Sequence, residues 1–247
     1  MSRSEIVCGI HAVRHCLNQS AGEVTELWIQ SGNSGVALAE LARLASLHGI
    51  SVQEVPARTL DKLSGGGRHQ GIALRRRGRP AATETDLKAL LEGLDHAPLL
   101  LILDGVQDPH NLGACLRSAD AAGVDAVIVP RHRGVHMTPT VTKVACGAAE
   151  RMPLIQVGNL ARTLKALQQV GIWLAGTSDQ ADKTLYETDL NGPLALVMGA
   201  EDRGVRRLTA EHCDFLMRIP MQGIVESLNV SAATAVCLFE AVRQRTG

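Results

Sequence analysis

From Pro98 onward, short apolar runs alternate with longer segments of helical spacing. The runs at 99–103, 126–129, 154–157, 172–175, 194–198 and 215–219 are too short for helices and predict buried strands. Helical spacing falls at 112–122, 138–149, 159–170 and 229–245. Such alternation predicts a parallel sheet covered by helices on both faces. In the first of these helices Leu112, Leu116, Ala119 and Gly123 form the inward stripe, which leaves Gly113, Arg117 and Asp120 on a different face.

The first third follows a different plan. Residues 6–17 have helical spacing, with Ile10, Val13 and Leu17 on one face. A strand is expected at 26–30. An amphipathic helix follows at 36–48, with Leu38, Leu41, Ala42 and Ala45 as its stripe and Gly49 as its stop. Further strands are expected at 51–55 and 71–74, separated by the flexible break Gly65-Gly66-Gly67. Residues 78–96 read as a linker or peripheral segment with a short acidic helix at 86–94. The expected organisation is a small α/β domain at 1–77, a linker at 78–96 and a larger α/β domain at 97–247.

The 247 residues carry no net charge, but the charge is unevenly spread. Residues 1–80 hold ten Lys/Arg against six Asp/Glu, net +4, and end in Arg75-Arg76-Arg77-Gly78-Arg79. That run fits either a solvated linker or contact with phosphates. With only two Trp, one Tyr and two Phe, an aromatic base-stacking surface is disfavoured. The six cysteines form no C-x-x-C pair and read as reduced core residues. No apolar run approaches the roughly 20 residues of a membrane span, and no signal core follows the N-terminus, so a soluble cytoplasmic protein is expected. The G-x-G-x-x-G and Walker A patterns are absent, so a nucleotide-like cofactor would be held by irregular loops. His11, His69, His110 and His136 are scattered without metal spacing, and Ser227 lacks a G-x-S-x-G setting.

Three polar, glycine-bearing turns follow predicted strands. The first, Asp108-Pro109-His110-Asn111-Leu112-Gly113, leads to Arg117. The second is Met198-Gly199-Ala200-Glu201-Asp202-Arg203-Gly204. The third runs from Ile219-Pro220 to Asn229-Val230-Ser231. In a parallel sheet, three such loops converge at one edge. Each residue also has a plainer reading. Asn111 is a good N-cap, Arg117 can pair with Asp120, and Glu201 can be a loop carboxylate. Arg203, Arg206 and Arg207 read as solvated. Ser227 or Asn229 can cap the last helix, in which Val230, Ala233, Cys237 and Leu238 are core candidates.

Together the three turns resemble the motifs of the SpoU (TrmH-like) RNA ribose 2'-O-methyltransferases, nearest the RlmB-like 23S rRNA guanosine methyltransferases. Gly9-Ile10-His11-Ala12-Val13 and His69-Gln70-Gly71 are similar to the L30e-like substrate domain of that family. The resemblance implies a catalytic domain threaded as a deep trefoil knot, and S-adenosyl-L-methionine as cofactor, with Gly199, Ile219 and Leu228 as its contacts. It places Asn111, Arg117, Glu201, Ser227 and Asn229 on the family's polar catalytic positions. Asp202-Arg203 stands where near relatives commonly have Gly-Glu. The implied chemistry is displacement at a sulfonium methyl by a ribose 2'-hydroxyl, with no metal needed. Making an arginine a base at pKa ~8 instead of ~13 costs about 7 kcal/mol, which favours Arg117 as aligner and anion stabiliser. The implied partners are 23S rRNA or a precursor large subunit and a second copy of the chain. Alternatives are methylation of tRNA or another rRNA site, antibiotic-resistance methylation, or a non-catalytic assembly factor.

Overall fold

The computed structural model describes residues 4–32, 35–77, 81–132, 135–200 and 204–246. The chain divides into two compact units, one of 1–80 with 142–150, the other of 81–141 with 151–247.

In the first unit β1 (Ser4–Cys8), α1 (Ile10–Gln19), β2 (Val24–Gln30), α2 (Val36–Leu47), β3 (Ser51–Val55), α3 (Ala57–Leu63) and β4 (Ile72–Arg77) follow in chain order. The sheet order is β1-β4-β2-β3, with β4 antiparallel to both neighbours. The single helix expected over 6–17 is therefore a strand and a helix. Val7 is buried and its neighbours less so, a strand alternation that pairs Ser4–Cys8 with β4. Gly9, at φ +96°, turns the chain into α1. One sheet face packs Val7, Leu27, Ile29, Ile72 and Leu74 against α1 and α2; the other packs Trp28 and Ala73 against Leu60 of α3. The basic run is only partly solvated. Arg76 is buried and donates to Glu5 at 2.9 Å, and Arg75 pairs with Glu26 and lies over the Trp28 ring.

In chain order α4 (Glu84–Glu92), β5 (Leu99–Asp104), α5 (Pro109–Ala121), β6 (Ala126–Pro130), α6 (Pro139–Ala145), α7 (Ala148–Arg151) and β7 (Leu154–Val157) follow; residues 142–150, most of α6 and α7, belong to the first unit and the rest to the second. Then come α8 (Leu160–Gln169), β8 (Trp173–Thr177), β9 (Lys183–Thr184), β10 (Leu194–Gly199), α9 (Arg207–Ala210), β11 (Phe215–Arg218) and α10 (Val230–Thr246). Seven parallel strands stand in the order β7-β6-β5-β10-β8-β11-β9, the predicted α/β class. The helix expected over 138–149 is broken where Cys146 (φ +52°) and Gly147 (φ +97°) leave helical geometry, and α7 runs on to Arg151. In 78–96, residues 78–80 lie outside the described part. Leu87 of α4 packs with Ile155, Val157 and Leu160 in the core of the second unit.

The last helix returns across the sheet. β11 lies beyond β8, yet α10 packs against α5 and β10. Cys115 of α5 meets Thr234 of α10 at 3.6 Å, both buried. Of the core candidates in this helix, Val230, Cys237 and Leu238 are buried and Ala233 is half-buried. Burial pushes the Cys115 thiol up to about 11 and that of Cys237 up to about 12, so both remain protonated core groups. No helix among the described residues is long and apolar enough to cross a membrane.

Candidate active site at the ends of the central strands

β5 and β10 are adjacent and in register, Gly199 opposite Asp104, so the loops that leave them start side by side. β11 ends at the same edge because the sheet is parallel. Each of these three strand ends feeds one of the three polar turns.

The first turn enters α5. Asp108, not Asn111, is the N-cap. Its carboxylate accepts from the backbone N–H of His110 at 2.9 Å, and Pro109 occupies the first helical turn, where its missing N–H costs nothing. Asn111 therefore lies inside the first turn of the helix and is not its N-cap. Leu112, Cys115, Leu116 and Ala119 are buried as the periodicity requires; Gly113, expected on the Arg117 face, is buried too. Arg117 is exposed, with no hydrogen bond or ion pair among the described residues. Asp120, its expected surface partner, instead faces Arg151 at 3.6 Å.

The third turn enters α10. Asn229 caps that helix. Its Oδ1 accepts from the N–H of Ser231 at 3.0 Å and from the Ser231 hydroxyl at 2.6 Å, and its carbonyl accepts from Ala233 N–H. The other end of the same amide donates to Asn111 Oδ1 at 3.0 Å. The first and third turns are thus joined side chain to side chain. Ser227 is exposed and makes no side-chain hydrogen bond among the described residues. Ile219 and Leu228 are half-buried at the two ends of the loop. Between them, residues 221–228 make no backbone–backbone hydrogen bond among the described residues. Their N–H and C=O groups are unspent by the fold and available to a ligand.

The second turn closes on itself. Ala200 and Gly204 exchange backbone hydrogen bonds of 3.1 and 2.8 Å. A Cβ on Gly199 would lie 1.8 Å from the Gly204 carbonyl carbon and 2.0 Å from Val205 N. Gly199 is therefore required by the close approach of its own loop. Glu201, Asp202 and Arg203 lie outside the described residues. Arg206, expected to be solvated, reaches inward: its Nε and Nη2 donate to Asp104 Oδ1, the first at 2.7 Å, and its backbone N–H donates to Oδ2 at 3.3 Å. The Asp104 carboxylate is wholly buried, and its hydrogen bonds raise the Arg206 guanidinium above its ordinary value. Sequence reasoning passed over this pair. The available signal was a carboxylate closing the apolar run Leu99–Asp104, a position where an unpaired charge is not tolerated.

The arrangement offers main-chain hydrogen-bonding groups beside half-buried apolar residues, an amide pair with one partly exposed end, and an exposed guanidinium one turn along α5. It contains no group of three or more His, Cys, Asp or Glu suited to a metal ion among the described residues. Such a site suits alignment and charge stabilisation of an anionic, hydroxyl-bearing substrate.

Comparisons with known proteins agree with this geometry. Residues 98–239 match the SpoU rRNA Methylase family, and residues 6–78 match the RNA 2'-O ribose methyltransferase substrate binding family. The chain is 53% identical over 245 residues to the 23S rRNA (guanosine-2'-O-)-methyltransferase RlmB of Shewanella oneidensis, covering 99% of both chains. It is similar to a solved RNA 2'-O ribose methyltransferase, with a TM-score of 0.82 at 30% identity over 100% of this chain and 90% of that one. It shares its fold with the SpoU methyltransferase AviRb from Streptomyces viridochromogenes, solved in complex with AdoMet. There the TM-score is 0.81 at 24% identity, over 98% of this chain and 91% of that one.

Proposed function

The chain belongs to the SpoU rRNA methylase family, and we propose that it transfers a methyl group from S-adenosyl-L-methionine to the ribose 2'-hydroxyl of a guanosine in 23S rRNA, near the peptidyl-transferase centre, during large-subunit biogenesis. The observation that carries the reading is the joining of Asn111 to Asn229 across 3.0 Å, on the helix that also carries the exposed Arg117. It assembles polar groups from both ends of the catalytic segment at one strand edge.

The residues present fit the cofactor. The unspent main-chain groups of 221–228 can meet a polar, zwitterionic ligand, and the half-buried Ile219 and Leu228 can flank its apolar parts. Gly199 contributes by letting the 200–204 loop close. When bound, S-adenosylmethionine supplies an electrophilic methyl group on a cationic sulfur. The protein's task is to orient the ribose hydroxyl toward it and to ease loss of one proton. Arg117 aligns the hydroxyl and stabilises the developing oxyanion. Asn111, held by Asn229, orients Arg117 or the ribose together with Glu201 and Ser227.

The first unit, net positive and matched by the substrate-binding family, selects the RNA. The chain acts in the cytoplasm as a homodimer, and its last segment is threaded as the family's knot. Membership of a methylase family and the Asn111–Asn229 pair argue against a non-catalytic assembly factor. The test is mass-spectrometric mapping of 2'-O-methyl groups after incubation of the protein and cofactor with unmodified 23S rRNA and with tRNA. A single new methylguanosine in 23S rRNA is expected. Methylation of tRNA alone would overturn the substrate assignment.

A further inference from the structure

Asp104 is a carboxylate with no exposed surface, placed where β5 ends beside β10. Burying such a group is costly unless it is paired and hydrogen-bonded. Among the described residues the three hydrogen bonds it accepts come from Arg206: one from the backbone and two from the guanidinium. A buried ion pair is weak evidence for stability, since a well-packed apolar pair often does as well. What this pair achieves is geometric. After β10, Gly204 is held to Ala200 by two backbone hydrogen bonds and Arg206 is held to Asp104, so Gly204 and Val205 are fixed from both sides. Asp104 also begins the segment that carries Asn111, seven positions on in the sequence. The chain just after the second turn is thus tied to the end of β5, just before the first turn, by Asp104–Arg206, and the third turn is tied to the first by Asn229–Asn111.

We propose that Asp104 and Arg206 are positioning residues for the cofactor site, holding Gly204 and Val205 in their close approach to Gly199. The proposal rests on the S-adenosylmethionine reading above. Neither residue need touch the cofactor; both act through the loop between them.

The experiment is calorimetric titration of full-length protein with S-adenosylhomocysteine, alongside thermal unfolding of each variant. Wild type is measured first, and absence of binding there would overturn the functional reading itself. Arg206→Gln and Asp104→Asn are each expected to weaken binding about tenfold or more, the scale of a displaced binding loop. The double variant should be no weaker than the worse single one, because the same link is broken once. Arg206→Lys should recover part of the affinity, since an ammonium can reach one carboxylate oxygen but lacks the fork. The Michaelis constant for the cofactor should rise more than turnover at saturating cofactor falls. Arg206→Gln leaves the buried Asp104 carboxylate without its guanidinium, so the double variant with Asp104→Asn, which buries no charge, decides the matter if either single variant does not fold. Wild-type affinity in folded Arg206→Gln, additive losses in the double variant, or a lowered melting point with unchanged affinity would each sink the proposal.

Discussion

The side-chain amide of Asn229 works at both ends: Oδ1 caps α10 through Ser231, and Nδ2 donates to Asn111 Oδ1 at 3.0 Å, across 118 residues of sequence. One residue therefore fixes where the last helix begins and where Asn111 points. The two tasks can be separated by substitution. Asn229→Asp keeps an acceptor for the cap but sets a carboxylate against Asn111 Oδ1, so stability should hold while single-turnover methylation drops at least tenfold, the loss expected of a disturbed positioning group. Asn229→Ala should also cost about 1 kcal/mol of stability, the usual value of a lost N-cap. Equal turnover in wild type and Asn229→Asp would remove the amide pair from the mechanism.

Arg117 is exposed and lies off the Leu112/Leu116/Ala119 stripe, so Arg117→Ala should leave unfolding and cofactor affinity unchanged. Single-turnover methylation at saturating cofactor should fall about a hundredfold or more, as when a charge-stabilising group is removed. Arg117→Lys should fail nearly as badly, because a point charge cannot reproduce the planar fork. Near-normal turnover of the lysine variant would show that charge alone suffices.

Gly199→Ala places a methyl carbon 1.8 Å from the Gly204 carbonyl carbon, so the backbone of 204–205 must move. The expected cost is on the order of 1–3 kcal/mol in urea unfolding, with loss of S-adenosylhomocysteine binding. Arg117→Ala is the internal control, since it should affect neither. Retained affinity in Gly199→Ala would mean that the closed 200–204 turn is dispensable for binding.

Acid should loosen the end of α10. Hydrogen bonds from Arg243 and Gln244, with the Arg243 charge, hold the Glu240 carboxyl down to about 2, and Gln244 in turn bonds Thr188 and Leu190. A depressed carboxyl contributes its stability above its ordinary value near 4.5, and loses it as pH falls through about 2. Glu240→Gln should therefore lower the melting temperature at pH 7, and the gap to wild type should close between pH 4.5 and 2. A gap independent of pH across that window would show that packing, and not charge, makes the contribution.

Much of the fold and some of the site were readable from local pattern. The apolar runs at β5, β6, β7, β8, β10 and β11 identified strands because they are too short for helices, and β5, β6 and β10 are buried throughout while β7, β8 and β11 are buried in part. The same reasoning placed Leu112, Leu116 and Ala119 inward and left Arg117 outside. Local pattern failed where two elements share a short stretch. Residues 6–17 contain apolar positions that suit a helix, but the first few are claimed by β4, a strand more than sixty residues away.

Three features of the site depended on tertiary structure alone. Which residue caps α5 was decided by Asp108, whose competition with Asn111 for that role is settled only by the backbone path. That Gly199 is needed for its loop's own closure follows from a contact five residues on, which no propensity describes. The pairs Asp104–Arg206 and Asn111–Asn229 exist because β10 inserts beside β5 and α10 returns over α5. Periodicity along a chain reports which side of an element faces inward. It carries no information on which strand lies next to which, and a hydrogen bond reaching about 3 Å depends on that neighbour relation entirely.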